Sequence, residues 1–154
     1  MQTTLERVDV FQQHSEYKQA VRRGKPLDKY YITKHGVVLN SKTNRILKQN
    51  KCGNKNNYDN VYWSVNISIK GVVLTTAVHR LVIETWKPID ENPPDELKDD
   101  WNDAPESFKQ WVRDTAWVDH VNSDKNDNHV DSLKWVTPRQ NSKWYKQSLT
   151  QLTN

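Results

Sequence analysis

Hydrophobic positions fall into two periods along the chain. Around residues 61–69, Val61, Trp63, Val65, Ile67 and Ile69 alternate with Tyr62, Ser64, Asn66 and Ser68. That two-residue period predicts a strand with one buried face. Lys70-Gly71 then turns the chain into VVLTTAV, which predicts a hairpin. Immediately afterwards the period changes: Val78, Leu81, Val82 and Trp86 lie on one face of a helix that Pro88 ends. Upstream, YYIT, VVLN and RILKQ in residues 30–50 read as short strands, and NKCGNKNN (50–57) as a polar loop. The first two dozen residues read weakly as helix, with Leu5, Val8 and Gln12 on one face, Tyr17, Ala20 and Val21 on another, and Gly24 and Pro26 as the stop.

Downstream, residues 88–103 read as an acidic, Pro-containing loop. Asp103 and Glu106, with Pro105 between them, have the spacing of a helix-start box. Phe108, Trp111, Val112 and Thr115 mark one face of the helix that follows. A strand is expected over 117–121, then a polar loop of about ten residues, then a second strand over 133–136. Thr137-Pro138-Arg139-Gln140 is a further capping box, opening a last helix that extends to about Tyr145. Trp63, Trp86, Trp111 and Trp135 are expected in the core.

Composition narrows the class. Of the 154 residues 34% are apolar, so the core is expected to be small, yet seven Trp argue against a disordered chain. No apolar run is long enough for a membrane-spanning helix. MQTTLERVDVFQQ lacks the apolar stretch of a secretory signal, and the single Cys52 excludes internal disulfides. An intracellular, cytoplasmic setting is the expectation. The net charge of +4 is unevenly spread. Residues 1–86 carry 14 Lys/Arg against 6 Asp/Glu, residues 87–131 carry 5 against 13, and residues 132–154 carry 4 against none. Basic blocks with interleaved aromatics suit a phosphate backbone. The acidic block suits a solvated insertion or a cation.

The informative stretch is VDHVNSDKNDNHVDSLKWVTPRQN, residues 118–141. Asp119 and His120 stand side by side at a strand end, and the chain returns through a second strand and a cap to Asn141. A carboxylate and an amide oxygen suit a hard divalent ion such as Mg²⁺ or Mn²⁺. An imidazole accepts a proton near neutral pH. The kit suits metal-assisted phosphodiester hydrolysis, provided the strand ends or twists at His120, because strand neighbours face opposite sides.

This stretch closely resembles the HNH (ββα-metal) endonucleases, in their phage homing branch. VHRLVIETWKP (78–88) and YYITKHGVVLNSKTNRILKQ (30–49) are similar to elements that accompany the motif in that branch. The resemblance implies His120 as general base, with Asp119 and Asn141 as metal ligands for one Mg²⁺ or Mn²⁺. The middle Asn of the pattern falls at Ser132, a departure; Asn128 or Asp131 is the candidate to brace the loop behind the base instead. His79 reads as structural, His129 as solvated with proton donation as the alternative, and His14 and His35 show no partner in sequence. Candidate double-stranded DNA contacts are Arg45, Lys48, Lys51, Lys55, Lys70, Arg80, Lys134, Arg139 and Lys143.

The expected fold is α+β. Residues 1–27 form a helical extension, 28–88 a β-rich DNA-binding module with its helix, 89–116 an acidic insertion with a helix, 117–146 the ββα-metal nuclease motif and 147–154 a tail. The expected activity is hydrolysis of a DNA phosphodiester; the resemblance implies 5′-phosphate and 3′-hydroxyl ends. A monomer that nicks is the default, and a dimer that cuts both strands the alternative. No helix-turn-helix region follows, so specificity is expected mainly from residues 28–75. The rival classes are a non-catalytic DNA-binding or regulatory protein on the same scaffold, which Ser132 allows, and a less specific HNH nuclease of a defence, toxin or packaging system.

Overall fold

The computed structural model of the chain describes residues 16–53 and 62–142. Among them, nine strands form three antiparallel sheets. β1 (Tyr17–Arg22), β2 (Lys25–Thr33), β3 (Val38–Asn40) and β4 (Arg45–Ile46) lie in that order in the first. β5 (Asn50–Cys52), β6 (Tyr62–Ile69) and β7 (Val72–Ala77) form the second, and β8 (Trp117–His120) with β9 (Leu133–Val136) the third. The helices are α1 (Val78–Trp86), α2 (Glu106–Thr115) and α3 (Pro138–Asn141). The mixture is the α+β class expected from the sequence.

The β6–β7 hairpin follows the alternation. Val65 and Ile67 are fully buried, and Trp63 and Ile69 pack partly against the same core. Lys70 and Gly71 both take positive φ (50° and 79°), the geometry of a two-residue turn matched to strand twist. α1 begins where β7 ends, and its buried residues Val78, Leu81, Val82 and Ile83 form the hub of the fold. It packs on β1, β2, β6, β7, β8 and β9. A single core cluster runs from Ala20 to Trp135.

Four expectations change. Residues 17–22 are a strand, not a helix: Arg23 and Gly24 take positive φ (52° and 75°) and fold β1 back on β2. Pairing overrides a weak helical pattern here, and the Val21 N–H donates to Thr85 Oγ1 of α1 at 2.9 Å. The earlier apolar set, Leu5, Val8 and Gln12, lies outside the described residues. Asn50–Cys52, read as loop, is an edge strand paired with β6, where Ser64 Oγ also donates to the Asn50 carbonyl at 3.2 Å and lies 3.1 Å from Cys52 Sγ. Pro105, not Asp103, is the N-cap of α2, with no side-chain cap. Trp111 is 55% exposed and Phe108 38%, whereas Val112 and the unanticipated Trp101 are buried. Of the expected face Val112 is the residue that reaches the core, joined by Trp101, which the pattern does not mark.

Towards the C-terminus the expected elements form. The capping box closes: Thr137 Oγ1 accepts from the Gln140 N–H at 3.2 Å, and the Thr137 N–H donates to Gln140 Oε1 at 3.1 Å. The helix stops at Asn141, where Ser142 turns to extended backbone (ψ 141°), instead of running on to about Tyr145; residues 143–154, the tail included, lie outside the described residues.

Candidate functional site

β8 ends at His120, and the chain turns at once. The Ser123 N–H donates to the His120 carbonyl at 2.9 Å, and Ser123 takes a φ of 61°. The strand therefore stops where the sequence argument needs it to. Burial still alternates: His120 is 9% exposed, opposite the fully buried Leu133, whereas Asp119 is half-buried opposite Lys134. Directly opposed residues share a face, so Lys134 stands beside Asp119. α3 packs on both β8 and β9, which brings the element carrying Asn141 onto the hairpin carrying Asp119 and His120. Asn141 is half-buried, and its N–H donates to the Thr137 carbonyl at 3.1 Å.

The loop between β8 and β9 organises itself with short polar side chains. Asn122 Oδ1 accepts from the Asp124 N–H at 3.1 Å, and Asp124 Oδ1 from the Asn126 N–H at 3.0 Å. Asp127 accepts from Ser132 Oγ (2.6 Å), Asn122 Nδ2 (2.8 Å) and the His129 N–H (3.2 Å). These bonds, the Ser132 hydroxyl foremost, hold its carboxyl below the usual carboxylate range. The loop is also tied to both larger sheets. Trp63 Nε1 donates to Asn126 Oδ1 at 2.9 Å, and the Val130 N–H to the Lys34 carbonyl at 2.9 Å.

This frame presents Asn128, which is buried, to the base candidate: His120 Nε2 lies 3.0 Å from Asn128 Oδ1. Of the two residues weighed as a brace, Asn128 makes the contact. Asp131 is exposed and instead donates its N–H to His129 Nδ1 at 3.1 Å. Ser132 is occupied with Asp127. His129, expected to be solvated, is half-buried with its ring 4.5 Å from that of His35. His14 lies outside the described residues.

A second imidazole backs the site. The His79 ring stands edge-on to His120 at 5.1 Å between centroids, and to Tyr62 at 5.7 Å. Its Nδ1 is buried, with no hydrogen-bond partner among the described residues. Burial, then His120, Arg80 and Lys125 nearby, lower its pKa to about 4, so it is neutral at physiological pH. The apolar helix around it suggested a structural histidine; its contact with His120 carries no signal in spacing, because the two lie 41 positions apart.

The DNA-contact candidates divide. Arg45, Lys48, Lys51 and Lys70 are exposed on or beside β4 to β7, with Lys51 Nζ 5.3 Å from the Trp63 ring centre. Arg139 is exposed on α3 and Lys134 half-buried. Arg80 is drawn into the fold: its guanidinium stacks 4.8 Å from the Trp135 ring centre, donates to the Ala116 carbonyl at 3.0 Å and faces Glu84 at 3.5 Å. Lys55 and Lys143 lie outside the described residues.

The donor set fits a hard divalent ion. Asp119 and Asn141 offer oxygen, and few protein ligands leave positions for water and phosphate oxygens. Among the described residues there is no group of three or more His, Cys, Asp or Glu that could form a dedicated cage. No described helix is long and apolar enough to cross a membrane.

An antiparallel hairpin, a self-bonded loop and a short capped helix packed on the hairpin make up this end of the fold. A solved structure of the HNH homing endonuclease I-HmuI has this architecture, with a TM-score of 0.55, 21% identity, and coverage of 90% of this chain and 60% of that one. Two proteins of Acanthamoeba polyphaga mimivirus are similar in sequence. The uncharacterized HNH endonuclease L245 is 29% identical over 135 residues, and the uncharacterized HNH endonuclease L247 is 30% identical over 115. These matches cover 86% and 74% of this chain but only 32% and 22% of the relatives. No protein-family model matches the chain. The chain thus resembles HNH endonucleases in sequence and in fold, and spans about a third or less of the length of the curated relatives it matches.

Proposed function

We propose that the chain is a divalent-metal-dependent DNA endonuclease of the homing type that hydrolyses a phosphodiester in double-stranded DNA. The observation that carries this reading is the contact from His120 Nε2 to Asn128 Oδ1, 3.0 Å long, at the end of the strand that bears Asp119. An amide oxygen accepts, so the proton sits on Nε2 and the lone pair on Nδ1. His120 is then held in the tautomer that takes a proton from an attacking water.

Neutral His79 packs against the base without adding a positive charge beside it. Asp119 and Asn141 would hold the ion, which supplies electrophilic stabilisation of the charge that builds on the phosphate. Lys134, opposite Asp119, is the nearest candidate for a phosphate contact on that face. Arg45, Lys48, Lys51 and Lys70 extend a basic surface away from it, suited to backbone contacts that set register. One such centre attacks one strand per engagement, so nicking by a monomer is the expected outcome.

The test is cleavage of supercoiled plasmid and long linear DNA with Mg²⁺, with Mn²⁺ and with EDTA, wild type beside His120→Ala. Metal-dependent nicking is expected in the wild type and its loss in the variant, with DNA binding retained. Equal loss of binding and cleavage would count against His120 as the base. Binding with no cleavage by the wild type would move the reading to a non-catalytic DNA-binding protein. Scattered cuts rather than one position would favour a less specific nuclease.

A further inference from the structure

The acidic stretch is tied within itself and then to the rest of the fold. Arg113 grips Asp90 through Nε (2.8 Å) and Nη2 (3.1 Å), and Glu106 through Nη1 (2.6 Å). Trp101 and Val112 are buried in the core, and Arg80 holds the Ala116 carbonyl. One further contact leaves the stretch. Glu96, in the 3-10 turn Asp95–Leu97, accepts a hydrogen bond through Oε1 from the Thr137 hydroxyl.

Thr137 is the N-cap of α3, and its polar groups all point into that helix or at Glu96. Oγ1 accepts from the Gln140 N–H while donating its proton to Glu96. The Thr137 N–H donates to Gln140 Oε1, and its carbonyl accepts from the Asn141 N–H. α3 has four residues, far short of the length at which a helix holds itself. Its direction is therefore set by its ties. Thr137 is buried whereas Glu96 is exposed, so the Glu96 carboxylate stands between the hydroxyl and solvent and supplies its acceptor.

We infer that Glu96 is a positioning residue for Asn141, and that the acidic stretch is a strut setting α3 against the β8–β9 hairpin. The inference rests on reading Asp119 and Asn141 as the metal ligands. Glu96 touches neither substrate nor metal; it acts through the hydroxyl of Thr137. Without it, that hydroxyl loses its acceptor, the cap bond to Gln140 loosens, and Asn141, one hydrogen bond further on, is no longer held at a fixed height over β8.

The experiment compares wild type, Glu96→Ala and Glu96→Gln as full-length chains in two measurements. The first is amide hydrogen exchange at Gln140 and Asn141 in metal-free protein. The second is Mn²⁺ titration followed by electron paramagnetic resonance, with Mn²⁺ alone as the probe. Glu96→Ala should speed exchange at both amides and weaken Mn²⁺ binding about tenfold or more, the scale of losing a residue that orients a ligand. Glu96→Gln keeps an oxygen acceptor and should restore both to within about twofold of wild type. Unchanged exchange in Glu96→Ala overturns the strut. Faster exchange with unchanged Mn²⁺ binding reduces it to an ordinary cap and also overturns the inference. Failure of Glu96→Gln as complete as that of Glu96→Ala refutes the hydrogen-bond argument. A wild type that neither binds Mn²⁺ nor cuts DNA overturns the metal-site reading itself, a result separable from the others because it appears without any variant.

Discussion

His79 makes the stability of this protein depend on pH in a calculable way. Its imidazole titrates near 6.5 in an unfolded chain and at about 4 in the fold, because burial and the neighbouring His120, Arg80 and Lys125 disfavour its cation. Between those values the unfolded chain binds a proton that the folded chain refuses. The stabilisation is fully present above pH 6.5 and is lost as pH falls through the window towards 4. At 1.36 kcal/mol per unit, the shift corresponds to about 3 kcal/mol. Glu84 acts with the opposite sign, since burial raises its carboxyl pKa, so the raw profile mixes the two. The difference between wild type and His79→Phe removes the Glu84 contribution. Phe keeps a ring against Tyr62 and His120 and cannot titrate. Urea unfolding at pH 7.5, 6.0, 5.0 and 4.5 should show the wild type losing about 2–3 kcal/mol more than the variant over that range. Parallel profiles, with the difference changing by less than about 0.5 kcal/mol, would show that His79 is solvated or charged in the fold and would refute the argument.

Two further outcomes follow from the surroundings of the base. Gly36 has a φ of 94°, and a Cβ there would stand 2.8 Å from Val78 Cγ1 and 3.6 Å from Asn128 Cβ. Gly36→Ala should cost about 2–4 kcal/mol in urea unfolding, from the left-handed backbone and the crowding together; a loss below about 0.5 kcal/mol would mean that the turn relaxes without consequence. Asn128→Ala should leave DNA affinity within about twofold yet slow cleavage about 10–100-fold, as expected for loss of a residue that orients a reacting group; unchanged single-turnover rates would remove Asn128 from the account of the base.

The parts legible in the sequence are those specified locally. The β6–β7 alternation, the apolar face of α1 and the Thr137–Gln140 box each need only a few consecutive residues to state their structure. β1 and β5 were not legible because an edge strand is held by backbone pairing to a partner elsewhere, and their side chains carry little pattern. Phe108 and Trp111 show the converse: apolar residues at helical spacing mark a face, but what that face meets depends on the rest of the chain. The Asp-His pair and Asn141 could be picked out because their order and spacing resemble a family pattern. The Asn128 contact was one of two options, and only the folded loop separates it from Asp131. The Glu96–Thr137 link joins residues 41 positions apart by a single hydrogen bond, and nothing in composition or period announces it.

The loop that carries Asn128 is moored to both larger sheets, by Trp63 on one and the Lys34 carbonyl on the other. Retargeting by transplant is constrained accordingly. Residues 28–75, the segment proposed to recognise DNA, also contain Lys34 and Trp63, which tie down the loop behind His120, and Gly36, which leaves room for Asn128. A donor segment without an indole at 63 would lose the tie to Asn126, and one without a glycine at 36 would crowd Val78 and Asn128, so a transplanted surface would meet an unsettled loop behind His120.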